Sequence, residues 1–93
     1  MVDRLAEDRV VLIVYAHNRP GVLAKIAGAF YRRGMNICAL SARPTREPEL
    51  STIRVRVVAP RAQIERVAAA LRNLIDVLSV ALSNPPDPSA RSD

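Results

Sequence analysis

The residues best suited to chemistry stand together at Asn18-Arg19-Pro20-Gly21-Val22-Leu23. The apolar, β-branched run Val10-Val11-Leu12-Ile13-Val14-Tyr15-Ala16 before them reads as a strand. After them Val22, Leu23, Ile26, Ala27 and Phe30 recur at helical spacing. Asn18 suits a turn or cap, Pro20 is pre-set for a helix start, and Gly21 lets the backbone come close to another group. The first free N–H groups of such a helix point outward at the end of a strand, where they can receive a carboxylate or phosphate. The carboxylate of an amino acid is the ligand expected here. His17 and Cys38 are the other reactive pair, the pieces of a nucleophile and its base.

Composition narrows the alternatives. With 93 residues the chain reads as one domain. A domain of this size buries only roughly two-thirds of its unfolded surface, so a partner would help it. Hydrophobic residues make up 49% of the chain, yet no apolar run approaches the roughly 20 residues of a membrane span. Residues 1–8 are charged and carry no signal-peptide core. The lone Cys38 has no intrachain disulfide partner, and a cytoplasmic location is the expectation. The net charge is +5, and Lys25 is the only lysine among 14 basic residues. The arginines are scattered, and Tyr15, Phe30 and Tyr31 are too few for a base-stacking platform. Neither nucleic acid nor a membrane is expected as a partner.

These residues need elements to position them. Residues 1–8 read as a flexible arm, 9–82 as the domain and 83–93, with Asn84-Pro85-Pro86-Asp87-Pro88, as a disordered tail. Arg9 to Ala16 is the first strand and Gly21 to Arg33 the first helix, stopped by Gly34. Met35 is expected to tuck into the core. Asn36 to Pro44, with small residues and a terminal proline, suits an edge strand. Leu50 to Val58 alternates Ile53, Val55 and Val57 with Thr52, Arg54 and Arg56, giving one buried and one wet face. Pro60 opens a second helix striped by Ile64, Val67, Ala68 and Leu71, and Ile75 to Leu82 is the last strand. The order βαββαβ folds as an α+β, ferredoxin-like domain: a four-stranded antiparallel sheet in the order fourth, first, third, second, with both helices on one face.

That plan separates the polar groups. Asn18 to Leu23 leave the first strand, whereas Asn36 and Ile37 enter the second, which runs the same way. Strand rise of ~3.3 Å per residue puts these ends roughly 20 Å apart, so one small amino acid cannot touch both in one chain. Antiparallel pairing of two 36–44 edge strands across a two-fold axis brings one chain's entry near the other's turn and hides both edges. His17 and Cys38 are separated in the same way, so a cysteine hydrolase is discounted, and Cys38 reads as a small buried apolar residue. A lone His and a lone Cys make no metal site.

The segments Asn18-x-Pro20-Gly21-Val22-Leu23, Arg32-Arg33-Gly34-Met35-Asn36-Ile37, Thr45-x-x-Pro48-x-Leu50-Ser51 and Leu74-Ile75-Asp76-Val77 together resemble the ACT domain of the regulatory (small) subunit of acetolactate synthase, or acetohydroxyacid synthase. The resemblance runs from about Val10 to Leu82. It implies a non-catalytic subunit that activates the catalytic large subunit and mediates feedback inhibition by valine or another branched-chain amino acid. It also implies a homodimer through the 36–44 strand. Carried over residue by residue, the effector would meet Asn18, Gly21, Val22 and Leu23 of one chain and Asn36 and Ile37 of the other. No cofactor is implied in this chain; thiamine diphosphate, magnesium and FAD are expected on the catalytic subunit.

Taken without the resemblance, the same residues leave plainer roles open. Asn18 can be a turn former, Gly21 can serve helix–strand packing, Asn36 can be a strand-entry turn, and Val22, Leu23 and Ile37 can be core. Arg54 and Arg56 can be a solvated face or a contact for the catalytic subunit. The rival readings of the whole are a stand-alone ACT module sensing another amino acid or regulating a different protein, an RNA-binding sheet, and a small enzyme. The last lacks a catalytic constellation.

Overall fold

The computed structural model describes residues 7–84. The elements run β1 (Glu7–His17), α1 (Val22–Tyr31), β2 (Ile37–Pro44), β3 (Leu50–Pro60), α2 (Arg61–Arg72) and β4 (Val77–Ser83). The strands form one sheet in the order β2-β3-β1-β4, every neighbour antiparallel. This is the expected ferredoxin-like plan. β1 and β2 therefore run parallel with β3 between them, and α1 is the crossover that joins them.

Alternation along the strands decides which face is dry. Leu12 lies opposite Val55 and Val14 opposite Ile53, and all four are buried. Their sequence neighbours Ile13 and Arg54 pair on the other face. The helices close the dry face. Val22, Ile26, Ala29 and Phe30 of α1 and Ile64, Val67, Ala68 and Leu71 of α2 are buried in the same core as Val10, Leu12 and Val14. Met35 joins them, and its N–H donates to the Phe30 carbonyl at 3.0 Å. Gly34, at φ 67, supplies the left-handed residue after α1.

Several boundaries differ from the pattern-based expectation. α1 stops at Tyr31, and the Arg33 guanidinium instead donates to the Ala29 carbonyl at 3.0 Å, satisfying an open helix-end acceptor. β1 begins at Glu7, because Glu7 and Asp8 pair with Pro60 and Ala59, and β4 extends to Ser83. The remainder of the expected arm (1–6) and tail (85–93) lies outside the described residues. β4 starts only at Val77; Ile75 is 90% exposed in the preceding turn. Cys38 is exposed rather than buried. The β2–β3 register shifts between Ile37 and Ala39, so Cys38 is the extra residue of a bulge and leaves the inner row. Among the described residues no helix is long and apolar enough to cross a membrane.

Candidate functional site

The turn from His17 to Gly21 is held by its own chain on two sides. The Asn18 N–H donates to the Glu49 carbonyl at 2.6 Å, and Asn18 Nδ2 donates to the Pro48 carbonyl at 3.1 Å. Those bonds fix the turn to the β2–β3 loop, beside the exit of the edge strand β2. Asn18 thus spends one amide donor on the fold, while its side chain remains exposed. On the other side the His17 N–H donates to the Asp76 carbonyl at 2.8 Å.

Gly21 is the N-cap of α1 at φ 86, a left-handed conformation that favours glycine. A Cβ built there meets nothing within 4 Å, so this glycine answers a backbone need and not a close contact within the chain. The space over it is open. The Val22 N–H is used, donating to the Arg19 carbonyl at 3.2 Å, and the Lys25 N–H donates to the Gly21 carbonyl at 3.0 Å. Among the described residues no backbone carbonyl accepts from the N–H of Gly21, Leu23 or Ala24. These donors, at the positive end of the α1 dipole, can receive an anion.

The six expected site residues fall into distinct environments. Asn18 and Gly21 are exposed, and Leu23 is 41% exposed, beside the open helix start. Val22 is 4% exposed and belongs to the core, so its side chain faces away from any ligand at that start. Asn36 is exposed, and Ile37 is half-buried against the core. Asn36 and Ile37 are not brought to the turn. His17 is level with Leu50 of β3 and Ile37 with Val57, a step of roughly 23 Å at ~3.3 Å per residue. A ligand that touches both ends needs two chains. The same register keeps Cys38 and His17 apart.

One group was missed in the sequence. Asp76 is a buried carboxylate, 8% exposed, with three basic side chains around it. His17 Nδ1 lies 3.5 Å from its Oδ1, Arg19 Nη1 3.6 Å from the same oxygen, and Lys25 Nζ 3.8 Å from Oδ2. The Arg19 and Lys25 ends are mostly exposed, so each pair alone is weak. Together they gather the turn, the first turn of α1 and the entry of β4 around one negative charge. The signal was available: the expected strand order sets the exit of the first strand beside the entry of the last, and Asp76 is the one acid in the apolar run Leu74–Leu78. No set of three His, Cys, Asp or Glu side chains that could hold a metal ion occurs among the described residues.

Against this geometry stand the comparisons with known proteins. The AHAS small subunit-like ACT domain model matches residues 12–79. The chain is 36% identical over 73 residues to the acetolactate synthase isozyme 3 small subunit of Escherichia coli, covering 78% of this chain and 45% of that protein. It is 37% identical over 70 residues to the probable acetolactate synthase small subunit of Archaeoglobus fulgidus, covering 75% and 44%. The chain thus spans less than half the length of these curated relatives. Among solved structures, the acetolactate synthase small subunit of Thermotoga maritima superposes with a TM-score of 0.74 at 30% identity, covering 83% of this chain and 48% of that one. The ACT domain of a GTP pyrophosphokinase from Chlorobium tepidum superposes with a TM-score of 0.70 at 13% identity, a likeness of fold alone.

Proposed function

This chain belongs to the AHAS small subunit-like ACT domain family, and from that membership we propose that it is a non-catalytic regulatory subunit of acetolactate synthase. In this reading it binds and activates the catalytic subunit in branched-chain amino-acid biosynthesis, and a branched-chain amino acid, valine first among them, inhibits through it. Thiamine diphosphate, magnesium and FAD belong to the catalytic subunit. A cytoplasmic location belongs to the same proposal.

The observation that carries the effector site is the open start of α1. Gly21 and Leu23 offer N–H groups that no backbone carbonyl accepts among the described residues, and the space over Gly21 is open. They hold the ligand carboxylate, and the free valences of the exposed Asn18 amide meet its polar end. Leu23 forms an apolar wall. Asn36 and Ile37 come from a second copy whose β2 pairs antiparallel with the first. The turn is already tied to the β2–β3 loop, at the exit of that edge. Since two chains build each site, a ligand that prefers one dimer geometry shifts the dimer and the catalytic subunit bound to it.

The test is acetolactate formation by the catalytic subunit as this chain is titrated in, with and without valine, leucine or isoleucine. A rise with the chain, reversed by one of these amino acids, is the expected outcome; an unchanged rate at saturating chain overturns the subunit role. For the effector alone, thermal unfolding decides. A ligand at about 100 times its dissociation constant adds roughly 2.7 kcal/mol, and each kcal/mol moves the midpoint of a domain this size by roughly 4–8 °C. No shift with any branched-chain amino acid overturns the site.

A further inference from the structure

The sheet face that carries no helix is unassigned. On it β1 carries Val11, Ile13 and Tyr15, and β3 carries Arg54, Arg56 and Val58; Val11 is buried and Ile13 half-buried, while Tyr15, Arg54, Arg56 and Val58 are exposed. Val11 lies opposite Arg56 and Ile13 opposite Arg54. Further along, Arg56 meets Ala39 and Arg54 meets Ser41 on β2, while Ile13 meets Ala81 and Tyr15 meets Ser79 on β4. Small side chains flank Arg54 and Arg56 on β2, and both arginines are exposed. Tyr15 is 36% and Val58 41% exposed, apolar surface that water covers in the isolated chain.

The charge of this face, among the described residues, is mostly positive. Arg9 and Arg43 share its pleat with Arg54 and Arg56, and the single acid in that row is Glu7, at the far end of β1. None of these arginines makes an ion pair among the described residues. A second copy laid face to face would bring Arg54 and Arg56 against arginines, a like-charge arrangement that is disfavoured. A single-stranded nucleic acid needs aromatic platforms, and Tyr15 is the face's one aromatic residue. An acidic protein surface meets both needs: carboxylates for the planar guanidinium forks, and apolar side chains for the exposed parts of Tyr15 and Val58.

Size agrees. Four strands ~4.8 Å apart and about six residues of ~3.3 Å give a face of roughly 400 Å². Two copies joined through antiparallel β2 edges present their helix-free faces on the same side, or about 800 Å², the area per partner of a standard protein interface. We propose that this helix-free face, with Arg54 and Arg56 at its centre, is the surface that docks an acidic, partly apolar patch of the catalytic subunit. The proposal rests on the regulatory-subunit reading and names the contact that reading lacks. It also leaves the α1 start, on the helix side of the sheet, accessible to an effector while the complex is intact.

The experiment measures binding of this chain to the catalytic subunit by calorimetry, at low and high salt, for the native chain, Arg54→Glu/Arg56→Glu and Arg54→Lys/Arg56→Lys. Charge reversal should weaken binding about 100-fold or more, and the lysine pair less, because it keeps charge and loses the fork. Native binding should weaken with salt. The effector-induced thermal shift should stay the same in all three chains, which shows that fold and effector site are intact. Charge reversal that leaves affinity unchanged while the native chain binds overturns the surface but not the function. A native chain that does not bind the catalytic subunit overturns the function and, with it, this occupant. Binding of the native chain to a polyanion such as poly(U), lost in the Glu pair while binding to the catalytic subunit persists, reassigns the arginines to nucleic acid and overturns the proposal.

Discussion

His17 and Asp76 meet twice: the His17 N–H donates to the Asp76 carbonyl at 2.8 Å, and His17 Nδ1 lies 3.5 Å from Asp76 Oδ1. The backbone bond joins the exit of β1 to the entry of β4. The side-chain contact puts a buried carboxylate beneath the turn that opens α1. Asn18, the next residue, is tied in the opposite direction to Pro48 and Glu49. The turn is therefore clamped between the β2–β3 loop and the entry of β4, and its open side is Gly21 to Leu23.

That clamp has a measurable weight. Asp76→Asn keeps the shape and removes the charge, leaving Arg19 and Lys25 beside each other with no counter-ion. A loss of about 1 kcal/mol is expected, read as a fall of roughly 4–8 °C in the calorimetric midpoint. Because Arg19 and Lys25 are mostly exposed, high salt should shrink the difference between the two chains. Equal midpoints at low salt would show that the carboxylate holds nothing.

The glycines of α1 respond in opposite directions to the same substitution. Gly21→Ala places a Cβ in open space but forces alanine to φ 86, which costs about 1–2 kcal/mol of backbone strain. Gly28 is inside the helix, and the Cβ of Gly28→Ala would meet only Arg32 Nη1, at 3.3 Å, the movable end of a long side chain. Gly28→Ala should therefore stabilise by about 0.5–1 kcal/mol through helix propensity. Urea unfolding of both variants checks the signs.

Much of this fold can be read from periodicity. Ile53, Val55 and Val57 alternate with Arg54 and Arg56, and Ile64, Val67, Ala68 and Leu71 recur at helical spacing; both patterns name their buried faces correctly. Periodicity fails where a bulge or a turn changes the phase. Cys38 follows the inner row on paper but becomes the extra residue at the β2 bulge. Ile75 looks like strand core and stands 90% exposed, because the α2–β4 turn continues to Val77. Val22 and Leu23 are equally apolar, and only the phase of α1 about Gly21 decides that one is core and the other exposed. The Asp76 cluster depends on tertiary adjacency, so the lone acid in the Leu74–Leu78 run gains meaning only with the strand order.

The edge strand gives a prediction about assembly. Ala39 and Ser41 lie on the helix-free face of β2, with small exposed side chains. In a two-fold antiparallel pair of β2 strands centred on Leu40, Ala39 of one chain opposes Ser41 of the other. Ala39→Lys/Ser41→Lys puts like charges across that seam, which is destabilising. Sedimentation should show a dimer for the native chain and a monomer with unchanged circular dichroism for the variant. A dimer that survives the two lysines would place the dimer contact elsewhere.

Val22 and Leu23 separate stability from effector binding within two adjacent residues. Val22 is in the core, and Val22→Ala removes two buried carbon atoms, worth about 2 kcal/mol at ~0.8 kcal/mol per group with a small addition for the cavity. Its effector affinity, measured well below the lowered midpoint, should match the native chain, because the lost side chain points into the core. Leu23 is 41% exposed beside the open N–H groups, so Leu23→Asp should leave the midpoint within about 0.5 kcal/mol of native. It should nonetheless abolish the thermal shift with valine: the apolar wall is lost, and a carboxylate then competes for the same helix start. If Leu23→Asp keeps the shift while Val22→Ala loses it, the ligand enters from the core side of α1 and the assigned site is wrong.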